Sequence, residues 1–131
     1  MKKYGILNSN ISDVLSRMGH TDTICIADCG LPIPAQTERI DLALTLGVPG
    51  FLDVLSAVLA DMKVEKIYLA EEIREQNPKI FTAIQTLLPE TKTEFVSHAA
   101  LKRRMEGCRA VIRTGEASPY ANILLQAACV F

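Results

Sequence analysis

The sequence predicts a single α/β domain, with a largely parallel sheet of about six strands flanked by helices. Two observations carry that expectation. Short apolar runs of strand length alternate with stretches whose apolar residues recur at offsets of three and four, the pattern of parallel strands joined by crossover helices. The run Ile24-Cys25-Ile26-Ala27 is apolar on both faces, which suits a central strand. At 131 residues the chain is long enough for one real core and no more.

The elements read in order as follows. Asn8, Ser9 and Asn10 can each cap a helix. Ile11, Val14, Leu15 and Met18 give that helix one apolar face, and Gly19 stands where a C′ glycine would end it. The strand at 23–28 follows. The two prolines of Leu31-Pro32-Ile33-Pro34 bar regular structure and imply a fixed loop. Arg39 to Leu46 alternates and predicts a second strand closed by Gly47. Phe51, Leu55, Val58, Leu59 and Met62 form a helical stripe, read as core packing. Val64 to Ala70 is a third strand, ending at Glu71-Glu72. Asn77-Pro78 opens a helix with a cap and a first-turn proline. Thr93 to Val96 is a short fourth strand, and Ser97 caps a helix running from near His98 to Gly107. Ala110 to Thr114 is a fifth strand. Ile123 to Phe131 is a sixth strand or a buried terminal segment, tied down against its own sheet or a neighbouring subunit.

Composition narrows the function classes. Nearly half the residues are apolar and the net charge is −1, which argues against disorder and against a polyanion partner. Aromatics are few and tryptophan is absent, so no base-stacking platform is implied. No nucleic acid is expected as partner. No stretch reaches the ~20 apolar residues of a membrane span, and the first residues lack the apolar core of a signal peptide. A cytoplasmic location is expected. Buried free thiols are the plain reading of Cys25, Cys29, Cys108 and Cys129.

No glycine-rich nucleotide loop is present, and no serine sits in a nucleophile elbow. His20, Cys25, Asp28 and Cys29 are close in sequence, but a strand would hold the two cysteines roughly 13 Å apart, too far for one metal ion. What remains is acid–base chemistry on a small polar molecule. Both histidines, His20 and His98, fall at element boundaries, and histidine is the side chain best suited to exchange a proton near neutral pH. Asp28 lies at the carboxyl end of a strand, where ligands bind in open α/β sheets. Tyr120 and Asn122 lie on a loop at the same predicted edge. The expectation is that His20 and Asp28 face one substrate. Each has a plain structural alternative: His20 and His98 as surface or capping residues, Asp28, Tyr120 and Asn122 as turn residues. Glu71, Glu72 and Glu116 also stand at strand exits, and Lys102 could share a helix face with His98.

Four segments taken together resemble the D-ribose pyranase family, relatives of the L-fucose mutarotases. They are Leu7-Asn8-Ser9-Asn10-Ile11-Ser12, Gly19-His20-Thr21-Asp22, Asp28-Cys29-Gly30-Leu31-Pro32-Ile33-Pro34, and Arg113 through Asn122. The resemblance spans essentially the whole chain, as one pyranase/mutarotase domain over 1–131. It implies His20 as proton donor, with Asp28, His98, Tyr120 and Asn122 binding substrate. It also implies no cofactor, D-ribose as the ligand, and a homo-oligomeric ring, a homodecamer, with sites near subunit junctions. The implied reaction interconverts the β-pyranose and β-furanose forms of D-ribose. The rival reading is a sugar-binding or phosphocarrier protein of a ribose uptake system without catalytic activity. The absence of an arginine cluster for phosphate leans against a phosphocarrier.

Overall fold

In the computed structural model, which describes residues 1–131, one six-stranded sheet organises the chain. The strands are β1 (Thr23–Ala27), β2 (Arg39–Asp41), β3 (Val64–Ala70), β4 (Lys92–Val96), β5 (Val111–Arg113) and β6 (Ile123–Ala127). The helices are α1 (Ser9–Arg17), α2 (Phe51–Asp61), α3 (Ile73–Gln76), α4 (Pro78–Leu87) and α5 (His98–Met105). Strand order is β2-β5-β1-β6-β3-β4. β1–β5, β2–β5 and β3–β4 pair parallel, while β6 runs antiparallel to both neighbours, β1 and β3. The expected largely parallel α/β sheet is therefore present, with one reversed strand near its centre.

Period-two alternation divides the sheet between two cores. Ile24, Ile26, Ile67, Leu69, Ile112, Ile123 and Leu125 join helix residues such as Val14, Phe51, Leu55 and Ile84 in the larger cluster. Cys25, Ala27, Tyr68, Ala70 and Val111 face the other way and pack with Leu101 and Met105 of α5. Each large apolar side chain buried this completely stabilises the fold by about 1.5–3 kcal/mol.

Local side chains set the helix starts. Asn8 Oδ1 accepts from the Ile11 N–H at 3.0 Å, Asn77 Oδ1 from Ile80 at 3.3 Å, and Ser97 Oγ from Ala100 at 3.2 Å. Three details depart from the sequence reading. β2 stops at Asp41 rather than Leu46, because Asp41 Oδ1 accepts the Ala43 N–H at 3.0 Å and turns the chain out of the ladder. Leu44 and Leu46 are consequently exposed. Gly19 does not take the left-handed conformation of a C′ glycine; Thr21 does, at φ 71°, while the Gly19 N–H donates to Asp22 Oδ2 at 2.9 Å. The terminal run is strand only to Ala127, and Val130 and Phe131 are exposed in the single chain. No helix is long and apolar enough to cross a membrane.

Candidate active site

The carboxyl ends of β1, β3, β4 and β5 and the start of β6 meet at one edge of the sheet, because β6 alone runs the other way. Asp28 follows β1, His98 opens α5 after β4, and Tyr120 and Asn122 immediately precede β6. Four of the five residues expected to form the site therefore share one edge.

Asn122 is fully buried and bonds Asp28 twice. Its Oδ1 accepts the Asp28 backbone N–H at 2.9 Å, and its Nδ2 donates to Asp28 Oδ2 at 2.8 Å. This amide can face only one way, since the N–H must meet an oxygen and the carboxylate must meet a donor. Asp28 Oδ1 accepts the Gly30 N–H at 2.9 Å. The carboxylate is fixed in direction yet remains half-buried. Asp28 also lines a cleft of about 230 Å³ with Cys29, Gly30, Glu116 and Ser118.

Tyr120 and His98 stand beside that pair. Their rings meet edge to face, 5.2 Å between centroids. Tyr120 is held at φ 56°, and its carbonyl accepts the Asn122 N–H at 2.8 Å. The preceding loop is anchored by Asn77, whose Nδ2 donates to Ser118 Oγ and to the Pro119 carbonyl, both at 2.8 Å. The cap of α4 therefore also places Tyr120. The His98 backbone N–H donates to the Glu72 carboxylate at 3.1 Å. His98 Nδ1 is buried with no hydrogen-bond partner. Buried polar atoms are paired as a rule, so this nitrogen marks a place where a polar group is wanted.

Glu116 braces the same edge. Its carboxylate accepts from the Phe51 N–H at 3.2 Å and from Ser118 Oγ at 2.8 Å. Burial works to raise its pKa, but the hydrogen bonds from Ser118, Phe51 and Ala117 outweigh burial and leave it lowered.

His20 lies elsewhere. It precedes β1 while Asp28 follows it, so the strand alone separates them by ~15 Å. The expectation that the two face one substrate fails within a single chain. Asp28 does not orient His20 there either. The imidazole is exposed, and its Nε2 meets Glu65 Oε2 at 2.9 Å. Sequence reading missed Glu65 and its neighbour Gln126. Neither stands at a strand exit, and only the pairing of β3 with β6 brings them to His20.

A profile of the RbsD / FucU transport protein family matches residues 1–130. The chain belongs to this family. Its curated relatives include a D-ribose pyranase of Clostridium perfringens, 53% identical over 131 residues, and one of Bacillus cytotoxicus, 54% identical over 131 residues, each with both chains covered completely. Among solved structures, Bacillus subtilis RbsD complexed with D-ribose superposes with a TM-score of 0.97 at 44% identity, again over the full length of both. A fucose mutarotase of Streptococcus pneumoniae, in complex with L-fucose, shares the fold, with a TM-score of 0.82 at 22% identity over 95% of each chain.

Proposed function

We propose that this chain is a D-ribose pyranase, an isomerase that interconverts the β-pyranose and β-furanose forms of D-ribose. The observation that carries the reading is full-length identity above half with the curated D-ribose pyranases, joined to a fold that matches the ribose-complexed relative throughout. The geometry supplies the chemistry. Asp28, held by Asn122, presents an oriented acceptor for sugar hydroxyls, and His98, Tyr120 and Asn122 are the further binding groups at the same edge. His20 supplies a proton carrier at the opposite edge.

Ring exchange needs one proton taken from the anomeric hydroxyl and one delivered to the ring oxygen. The bond from the anomeric carbon to the ring oxygen then breaks, and its electron pair stays on that oxygen. An open-chain aldehyde forms, and a different hydroxyl closes the new ring. His20 is the acid that protonates the ring oxygen. Positioned acid–base help contributes about 10²–10⁴ in rate, enough to matter for a reaction that also proceeds in water. No cofactor takes part.

Because one chain holds His20 and Asp28 at opposite ends of β1, the working site joins His20 of one copy to Asp28 of another. A closed homo-oligomeric ring, a homodecamer, meets that need, since a head-to-tail contact brings one edge of each copy to the other edge of the next. The enzyme works in the cytoplasm. Membership of a family named for transport also fits a ribose-binding protein without activity. Proton NMR exchange between the anomeric signals of free ribose separates the two. An isomerase speeds exchange at catalytic protein levels, whereas a binder broadens signals only in proportion to occupancy.

Complementation tests the shared site. His20→Ala and Asp28→Ala are each inactive alone. Mixed and reassembled in equal amounts, they regain activity in about a quarter of sites, those pairing an intact His20 with an intact Asp28. A mixture as inactive as its parts, with mixed assemblies confirmed by native mass spectrometry, sinks the shared site. Wild-type exchange by His20→Ala removes His20 from the reaction.

A further inference from the structure

β3 begins Val64-Glu65-Lys66, and in a regular strand its side chains would alternate faces. The pairing with β6 is irregular at that point. Val64 stands opposite Ala127 and Lys66 opposite Gln126, so Glu65 is an extra residue with no partner across the ladder. Such a bulge re-aims a side chain, and bulges gather beside active sites.

The re-aimed carboxylate is used at both oxygens. Oε2 lies 2.9 Å from His20 Nε2, and Oε1 accepts from Gln126 Nε2 at 2.6 Å. Gln126 Oε1 in turn accepts from the Tyr68 hydroxyl at 3.0 Å, and Tyr68 is buried. A line of hydrogen bonds thus runs from the core through Tyr68, Gln126 and Glu65 to an otherwise exposed imidazole. The nearby cations are engaged elsewhere: Lys66 and Arg104 both pair with Glu94. Bonds from His20 and Gln126 hold the Glu65 carboxyl below its usual range, so it is ionised at neutral pH.

We propose that Glu65 is a positioning residue for His20: its carboxylate holds the Nε2–H, fixes the ring's direction, and leaves Nδ1 to exchange the proton with the sugar. The proposal rests on the pyranase reading above. An ionised carboxylate only accepts, so Nε2 keeps its hydrogen in both the neutral and the protonated ring. The mobile proton is then the one on Nδ1. As the sugar opens, the Nδ1–H bond of the protonated ring breaks and an O–H bond forms at the ring oxygen, while the anomeric O–H bond breaks and its proton passes to solvent water. The lone pair left on Nδ1 can take a proton back at reclosure.

The test uses the assembled enzyme and ribose exchange by NMR, with imidazole ¹⁵N spectra as the second readout. In Glu65→Gln, kcat falls by about 10-fold to 100-fold, less than a proton-transferring group itself supplies, while KM stays within about twofold. The double variant with His20→Ala is no slower than His20→Ala alone, since the two act as one unit. In the wild-type spectra, His20 is the Nε2–H tautomer, identified by its loss in His20→Ala. In Glu65→Ala that preference disappears. Absence of ribose exchange in the wild type overturns the function reading beneath the proposal, and an active His20→Ala removes His20 from the reaction and the proposal with it. An inactive His20→Ala beside a Glu65→Gln with wild-type kcat overturns the proposal alone. So does a tautomer unchanged in Glu65→Ala.

Discussion

Asn122 holds Asp28 by both its backbone and its carboxylate, at 2.9 Å and 2.8 Å. The pairing joins the residue after β1 to the residue before the antiparallel β6, so the direction of the Asp28 carboxylate is set by two neighbouring strands of the sheet. Asn122→Ala leaves a backbone N–H and a carboxylate oxygen without their partner. The expected cost is about 1–3 kcal/mol of stability. It reads as a lower urea midpoint with the slope unchanged. KM for ribose rises in the same variant, because Asp28 is no longer held in one direction.

Acid should loosen the edge that carries the site, through Glu116. Burial favours its neutral form, but hydrogen bonds from Ser118 and the Phe51 N–H prevail and lower its pKa in the folded chain. A group lowered on folding stabilises the fold above its unfolded pKa, about 4.3 for glutamate. That stabilisation is lost as pH falls through the folded value. Glu116→Gln is therefore less stable than wild type at pH 7, and the gap narrows as pH drops below about 4. Urea midpoints measured from pH 7 to pH 3 check this; a gap independent of pH would mean the charge of Glu116 plays no part.

Sequence was a good guide wherever one or two neighbouring side chains decide the structure. Asn77 and Ser97 cap their helices as read, and β3 spans Val64–Ala70 as read. It was a poor guide where the deciding partner is distant. The reversed direction of β6, the bulge at Glu65, and hence the partner of His20, all depend on pairings between residues far apart in the chain, as with Glu65 and Gln126 at a separation of 61. α3 escaped notice because four residues make a single turn without an apolar period. The site followed the same division. The rule that ligands meet the carboxyl ends of strands pointed to the edge where Asp28 lies, but no local pattern tells that His20, only eight residues earlier, faces the far edge.

The cysteines should divide into two classes. Cys25 is fully buried and its thiol is pushed well up, burial being the main cause, with Cys108 and Asp28 adding to it. Burial also pushes Cys108 up to about 11, against a smaller opposing bond from Thr23. The thiolate is the form that reacts, so neither alkylates in the folded protein at pH 8. Cys29 and Cys129 are partly exposed and free. Mass spectrometry after brief iodoacetamide treatment should find label on those two alone, and on all four in denaturant. Rapid native labelling of Cys25 would show that β1 opens far more readily than a central strand should.

Gly115 is required for space. A Cβ built there would collide with the Val48 carbonyl and lie 2.5 Å from both the Thr45 carbonyl and the Val48 nitrogen. All three are backbone atoms, which cannot swing aside as a side chain could. They belong to the turn strapped to this point, since the Gly115 N–H donates to the Pro49 carbonyl at 2.9 Å and the Gly115 carbonyl accepts from Gly47. Gly115 also lies between Thr114, which donates to the Ala27 carbonyl, and Glu116, so a shift here reaches the end of β1 and Asp28. Gly115→Ala is expected to cost about 1–3 kcal/mol, the usual range for forcing atoms into a packed site. Gly107→Ala is the control. There the nearest atom to the added methyl is the Arg104 carbonyl, at an ordinary 3.6 Å. Its stability should stay within about 0.5 kcal/mol of wild type. Equal effects from the two substitutions would mean that the turn yields, and that close approach at Gly115 does not hold it.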